Sequence, residues 1–190
     1  MKILKHIRLL AVAVLLCLPW LSDARRFSVS TNVLGYANLG TLNLEASYAF
    51  GRRWTVNAGA KYNPWTFREK AGPSGQFQSR QQTWHAGVRF WPWHSYSGWW
   101  IAGKVQYQEY NTGGIISRRT EEGDRAGAGV TAGYTYMLHP RFNIEFGIGF
   151  WAGMKWYTEY TCPLCGITSG SGRKGFILPN DIIISLSYVF

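Results

Sequence analysis

Large apolar residues recur at every second position in eight stretches of this chain, and most residues between them are small, polar or charged. The last stretch is the plainest: Ile182, Ile184, Leu186, Tyr188 and Phe190 share one face, with Ser185 and Ser187 among the residues opposing them. Period-two alternation is the mark of a β-strand with two unlike faces. It recurs in Phe27 to Tyr36, where Phe27, Val29 and Val33 oppose Ser28, Ser30 and Asn32. In Thr41 to Phe50, Leu42, Leu44, Ala46, Tyr48 and Phe50 oppose Thr41, Asn43, Glu45 and Ser47. Trp54 to Tyr62 carries Lys61 on its polar face, Thr83 to Trp91 carries His85 and Arg89, and Gly98 to Tyr110 carries Lys104. Arg125 to Met137 and Phe142 to Trp156 follow, the latter with Glu145 and Lys155 on its polar face, and Asp181 to Phe190 closes the set.

Strands of about ten residues, even in number, are what a tilted crossing of a hydrocarbon layer requires. The connections alternate to match, short at residues 51 to 53, 92 to 97 and 139 to 141, and long at 68 to 82, 111 to 124 and 157 to 180. Only the first connection of the second kind, Ala37 to Gly40, is brief. The short turns are expected to face the periplasm. Aromatic residues gather near strand ends, with Phe27, Phe50, Trp54, Phe90, Trp99, Phe142 and Phe190 toward the short turns. Tyr62, Trp65, Tyr107, Trp156 and Tyr157 lie toward the long connections, as two interfacial girdles would. The expectation is an all-β fold: an eight-stranded antiparallel transmembrane β-barrel of outer-membrane type. A water-soluble lipocalin-like barrel is the alternative. It would turn the apolar faces inward and leave Glu45, Lys61, Arg89, Lys104 and Glu145 in solvent.

The chain begins with Lys2, Lys5 and Arg8, continues with ten apolar residues from Leu9 to Leu18, and places small residues at Ser22 and Ala24. This reads as a signal peptide cleaved after Ala24, giving residues 1–24 as leader and 25–190 as one barrel domain. The apolar run is shorter than the roughly 20 residues of a membrane-spanning helix, and Leu16 argues against lipoprotein processing at Cys17. At the other end, Ile184, Leu186, Tyr188 and Phe190 resemble the C-terminal assembly signal of bacterial outer-membrane barrels. That implies the barrel assembly machinery as a partner during biogenesis.

The formal charge is +10, from 20 Lys and Arg against 10 Asp and Glu. Loss of Lys2, Lys5, Arg8 and Asp23 with the leader leaves 17 against 9, or +8. These cations are dispersed and form no stripe, which argues against nucleic acid as a partner. Outer-membrane lipids and the phosphates of lipopolysaccharide suit them better, through charge-assisted hydrogen bonds.

With the polar faces inward, Glu45, Glu145 and Asp181 would share a narrow interior with Lys61, His85, Arg89, Lys104 and Lys155. Opposite charges there must pair, because a lone buried charge is costly. Counting from the 51-to-53 turn sets Lys61 opposite Asn43 and diagonal to Glu45. The cluster reads either as a lumen plug or as a proton or ion path, and an interior just wide enough for side chains favours the plug. Catalytic patterns are weak. His85 is the one histidine inside an expected strand, and no serine and carboxylate accompany it at a recognisable spacing. Glu121, Glu122 and Asp124 lie beside Arg118, Arg119 and Arg125 and read as solvated ion pairs. No catalytic residue, cofactor or metal ligand is expected, and the protein is read as not an enzyme. Cys162-Pro-Leu-Cys165-Gly166 is the one compact chemical motif. An export signal makes a local disulfide its default state, with free thiols or a shared metal as alternatives.

Several motifs together resemble one family. They are Trp54 with Asn57, Asn63-Pro64-Trp65-Thr66-Phe67, Tyr110-Asn111-Thr112-Gly113-Gly114, Arg141-Phe142-Asn143-Ile144-Glu145, Cys162-x-x-Cys165-Gly166, Pro179, and the closing Ser185 to Phe190. The chain resembles a domain-of-unknown-function family of small outer-membrane proteins of Bacteroides-type bacteria. The resemblance implies an outer-membrane location, a small barrel, and companionship in some settings with fimbrial or other surface-assembly systems. It carries no catalytic residues. The resulting expectation is a monomeric integral outer-membrane barrel with a structural or surface-recognition role through its outer loops. A narrow conduit for small or apolar solutes comes second and a membrane-embedded lipid-modifying enzyme third.

Overall fold

The computed structural model describes residues 26–67, 77–113, 119–162 and 166–190, with Asn180 and Asp181 described by backbone alone. In chain order the elements are β1 (Phe27–Asn32), α1 (Val33–Ala37), β2 (Leu42–Ala49), β3 (Trp54–Asn63) and β4 (Thr66–Phe67). They continue with β5 (Phe77–Phe90), β6 (Gly98–Gly113), β7 (Thr120–His139), β8 (Phe142–Tyr160) and β9 (Thr168–Val189). Each long strand pairs antiparallel with its sequence neighbours. β3 pairs with β5, and β1 pairs with β9 from Ser28↔Val189 to Asn32↔Ser185, so eight strands close into a barrel. β4 is a two-residue ribbon on the edge of β5.

Burial along the strands is inverted relative to a water-soluble barrel. Leu44, Trp84, Val105, Val130, Phe150 and Ile182 on the outer face are all more than half exposed, whereas Thr55, Thr83, Thr131, Thr135 and Ser187 inside are at most 2% exposed. The alternation in sequence therefore maps onto apolar-out and polar-in, and the lipocalin-like arrangement is ruled out. Lys61 faces Asn43 across β2 and β3, as the hairpin count requires.

The first expected strand stops early. Phe27 to Tyr36 is not one strand: β1 ends at Asn32 and residues 33–37 form a single helical turn. Side-chain amides substitute for the missing ladder. Asn32 Oδ1 caps the turn by accepting from Leu34 N at 3.1 Å, the N-cap role asparagine favours. Asn43 Oδ1 accepts from Asn32 N at 2.6 Å, and Asn43 Nδ2 donates to Asn32 O at 2.9 Å. Val33 keeps the alternation alive in sequence, which is why periodicity alone overran this boundary.

The later strands run longer than expected. Most of 111 to 124 and 157 to 180, together with residues 77–82, is strand. β7 pairs with β8 out to Thr120↔Tyr160, and β8 pairs with β9 out to Tyr160↔Thr168. Beyond the apolar band of the outer face, polar and small residues occupy both faces of the sheet, so apolar alternation fades although pairing continues. Segments such as Thr168-Ser169-Gly170-Ser171-Gly172 then read as loop. The wall is consequently lopsided, low along β1 to β3 and tall along β5 to β9.

The short-turn end is filled. Trp91 and Tyr96, expected at a strand end and in a simple turn, fold inward instead and join Trp100, Ala49, Ala102 and Val189 in a buried cluster. Trp91 Nε1 donates to Thr55 Oγ1 at 3.1 Å, Tyr96 Oη donates to Arg26 O at 2.9 Å, and Asn143 Nδ2 donates to Tyr96 O at 3.1 Å. Trp100 fits inside because Gly133 lies beside it in register and Gly147 is next across the sheet. A Cβ on Gly133 would stand 2.5 Å from the indole ring, and one on Gly147 would stand 3.1 Å from it. Glycine in the strand here makes room for an aromatic ring laid across two neighbours.

Candidate functional site

Above this aromatic floor lies the charged centre of the lumen. Arg89 on β5 reaches across the barrel, with Nη2 2.8 Å from Glu45 Oε1 on β2 and Nη1 2.9 Å from Glu145 Oε2 on β8. Its guanidinium carbon stacks 4.1 Å from the Trp100 ring centroid and 5.5 Å from that of Trp91. One cation thus ties three strands together and rests on the floor below. His85 Nε2 lies 2.9 Å from Glu45 Oε2. Glu45, Gly59 and His85 stand in one row across β2, β3 and β5. A Cβ on Gly59 would come within 2.6 Å of the imidazole, so this glycine lets His85 lean over β3 to its carboxylate.

Lys61 and Lys104 line the same cavity, which has a volume of about 50 Å³. Its wall includes His85 Nδ1, Arg89 Nε, Asn57 Oδ1 and Thr131 Oγ1, none of which has a protein hydrogen-bond partner. A space of this size with that many polar groups suits two or three ordered waters.

The expected lumen cluster was Glu45, Lys61, His85, Arg89, Lys104, Glu145 and Lys155. Six of these meet around this cavity, and Lys155 does not. Lys155 Nζ instead donates to Glu121 Oε1 at 2.8 Å and to Oε2 at 2.7 Å. Arg125 Nη2 lies 3.6 Å from the same carboxylate, Tyr110 Oη donates to it, and Arg125 stacks 3.7 Å from the Tyr110 ring. This second cluster lies on the inner face of β6, β7 and β8, level with the extended part of the wall. Parity places Lys155 inside as expected, but β8 continues to Tyr160 and carries it above the central cavity.

Of the three acidic residues on β7, only Glu121 makes ion pairs among the described contacts. Glu122 accepts from Asn111 Nδ2 at 2.8 Å and Asp124 from Tyr107 Oη at 3.0 Å. Burial pushes the Glu121 carboxyl upward, but the hydrogen bonds from Lys155 and Tyr110 and the charges of Lys155 and Arg125 bring it below its ordinary value. Burial and the bond to Glu121 both push the Tyr110 phenol up. Tyr157, expected in the outer girdle, lies on the inner face in register with Gly123, with Lys155 Nζ 4.5 Å from its ring. Trp156 keeps its outward place, 47% exposed.

On the outside, Ile184 and Leu186 are exposed. Tyr188 and Phe190 pack edge to face with centroids 4.7 Å apart, and Phe190 lies 5.7 Å from Phe27. Phe190 N donates to Phe27 O at 2.8 Å, so the terminal aromatic residue seals the seam where the first and last strands meet. Cys162 sits at the tip between β8 and β9, buried and without a free thiol. Cys165 and the side chain of Asp181 lie outside the described residues. Among the described residues no group of three or more His, Cys, Asp or Glu is arranged to hold a metal.

Trp91, Tyr96 and Trp100 were absent from the expected lumen set. The parity of Trp100 with Lys104 along β6 was the available signal for it, since residues two apart share a face. The parity of Trp91 with His85 and Arg89 of β5 marked it in the same way, whereas nothing comparable marked Tyr96, whose inward fold accompanies a turn where its φ is 66°.

Residues 9–190 match the model of a family described as Protein of unknown function (DUF3575). The chain belongs to this family. The match spans the whole barrel and both ends of the Arg89 bridge, so fold and family coincide over nearly the full length. No curated protein matches the chain.

Proposed function

We propose that this protein is an integral outer-membrane β-barrel with a non-catalytic, surface-recognition or assembly role carried by the tall side of its wall. The observation that carries this reading is the inverted burial: a closed barrel with a broad band of half-exposed Leu, Ile, Val, Phe and Trp has lipid as its natural solvent. The leader at residues 1–24 and the Phe190 end agree with export and assembly. The arginine bridge and the aromatic floor leave little for a small barrel to conduct, which favours a filled scaffold over a pore. What remains for contact is the extended sheet of β5 to β9 and its tips. Arg173, in register with Trp156 on the outward face, stands where lipid phosphates lie.

Cys162 and Cys165 complete the reading as a disulfide at the β8–β9 tip, where Thr161 N donates to Ile167 O at 3.1 Å and narrows the hairpin. Fimbrial or other surface proteins are the partners the extended sheet would serve, with the barrel itself a monomer. The test is twofold. Folded protein in mild detergent should migrate faster unheated than boiled, and crosslinkers applied to intact cells should capture partners through residues of the β7–β8 and β8–β9 tips. Recovery in the soluble periplasmic fraction would overturn the placement. Steady large-conductance pores in planar bilayers would overturn the scaffold role in favour of a conduit.

A further inference from the structure

We infer that the upper lumen is a binding site for a single-chain amphiphile with an anionic head, an alkyl carboxylate, which enters sideways from the membrane between β1 and β9. The lateral route rests on the membrane placement proposed above. A chamber of about 500 Å³ lies toward the long-connection end, with Lys61 on its boundary with the cavity below. That size falls in the roughly 300–1,000 Å³ range of small-molecule sites. Its walls are of two kinds. Lys61, Thr83, Gln106 and Arg125 line one side, while Trp151 and Leu178 line the other.

Trp151 breaks the polar-in rule. It is 4% exposed, on the inner face, and packs edge-on against Phe176 with centroids 4.5 Å apart. This second apolar wall is separate from the aromatic floor of Trp91, Tyr96 and Trp100. Opposite stand buried polar atoms without protein partners, namely Thr83 Oγ1, Gln106 Oε1 and Arg125 Nε. Thr83 and Gln106 are 1% and 7% exposed, so leaving them unpaired is expensive unless water or a ligand headgroup meets them. Lys61, Arg125, whose Nη2 is 3.6 Å from Glu121 while its Nε has no partner, and the Thr83 hydroxyl suit a carboxylate added on that wall, and the Gln106 amide can turn either end toward it.

The wall also has a door. The β1–β9 ladder ends at Asn32↔Ser185, and Asn32 closes it with its side chain, donating to Ile182 O at 3.0 Å and accepting from Ile184 N at 3.2 Å. Above that point β9 has no strand partner on this side among the described residues, and the single helical turn α1 packs against it instead. Pro179 offers no N–H, and the register slips between Gly149 and Phe150, where Asp181 gives way to Pro179. Leu34 and Ile182 both line the chamber, and Ile182 is 65% exposed on the outer face. The chamber mouth is therefore continuous with the surface that faces lipid. An acyl chain lying along Leu178 and Trp151 would leave through this notch, with its head against Arg125 and Lys61.

The experiment uses the full mature barrel in detergent and in vesicles, titrated with stearate carrying a nitroxide on its chain and read by tryptophan quenching. Saturable quenching is expected, reduced in Trp151→Phe by the share that Trp151 contributes. Leu178→Trp, which fills the chamber, should weaken binding at least tenfold while the heat-modifiable band persists. A nitroxide alkyl trimethylammonium of equal length should bind at least tenfold more weakly than stearate. Quenching that is non-saturable, or equal for the two amphiphiles, or unchanged by Leu178→Trp, overturns the inference. A barrel that inserts into vesicles yet gives no saturable quenching overturns the site and leaves the membrane placement standing. A chain that does not insert overturns the placement and the sideways route with it.

Discussion

Replacing Arg89 with methionine removes the cation that bridges Glu45 and Glu145 while keeping a flexible apolar stem over Trp100. Both carboxylates accept from Arg89 at 2.8 and 2.9 Å, and Glu145 is 3% exposed, so the few waters the adjoining cavity can hold replace the guanidinium's hydrogen bonds only in part and do not replace its charge. Breaking a buried ion pair by removing one partner costs roughly 3–5 kcal/mol. The lost stacking on Trp100 adds about 1–2 kcal/mol. His85 remains beside Glu45 at 2.9 Å and offsets part of the loss on that side, so Arg89→Met is expected near 4 kcal/mol by the same buried-pair estimate. The triple variant Arg89→Met, Glu45→Gln, Glu145→Gln should recover most of this, because a neutral interior carries no uncompensated charge. The assay is urea unfolding in lipid vesicles followed by tryptophan fluorescence, with the heat-modifiable band as the check on assembly. A cost below about 1 kcal/mol for Arg89→Met, or no recovery in the triple variant, would show that the bridge is not what holds this lumen together.

Three further outcomes follow from the same geometry. Glu121 has a folded-state pKa below its ordinary 4.5, so its stabilising contribution is complete above that value and is lost as pH falls through the folded one. Near-ultraviolet circular dichroism of the extended sheet should hold steady from neutral pH down to about 5 and weaken on further acidification; an identical acid profile for Glu121→Gln would remove Glu121 from the explanation. Deleting Phe190 takes away the Phe27 contact and a backbone hydrogen bond at the closing seam, so the yield of heat-modifiable band should fall far more than on deleting Ile167 at the β8–β9 tip, and equal yields would refute the seam argument. A membrane-impermeant maleimide on intact cells should label Cys162 and Cys165 only after reduction; labelling without reductant would rule out the disulfide, and no labelling after reduction would rule out an exposed outer tip.

The alternation of Leu42 to Phe50, of Trp99 to Tyr107 and of Ile182 to Phe190 determined by itself that the chain forms strands, that their number is even, and that each strand has one apolar face. Parity is local, since side chains two residues apart share a face whatever the strand pairs with. The short turn at 51 to 53 also determined the Asn43↔Lys61 register, because hairpin closure transmits register directly to the paired strands. The direction of the faces was a different matter. Alternation alone allows either face to point inward; the aromatic strand ends and Phe190 favoured apolar faces outward, and the closed structure puts Leu44 and Trp84 outside and Thr55 and Thr83 inside. Height and partnership were likewise tertiary: Lys155 has the right parity for the lumen, yet the β7–β8 ladder, regular from Met137↔Asn143 to Thr120↔Tyr160, carries it up to Glu121. Arg89 reaches Glu145 across the barrel, not along it, and the two residues are 56 positions apart in sequence. The early end of β1 was hidden because Val33 fits the pattern, and the amides of Asn32 and Asn43 that end it act between strands. Period and turn chemistry are written into neighbouring residues, while depth, pairing across the lumen and the gap beside β9 arise only when the first strand meets the last.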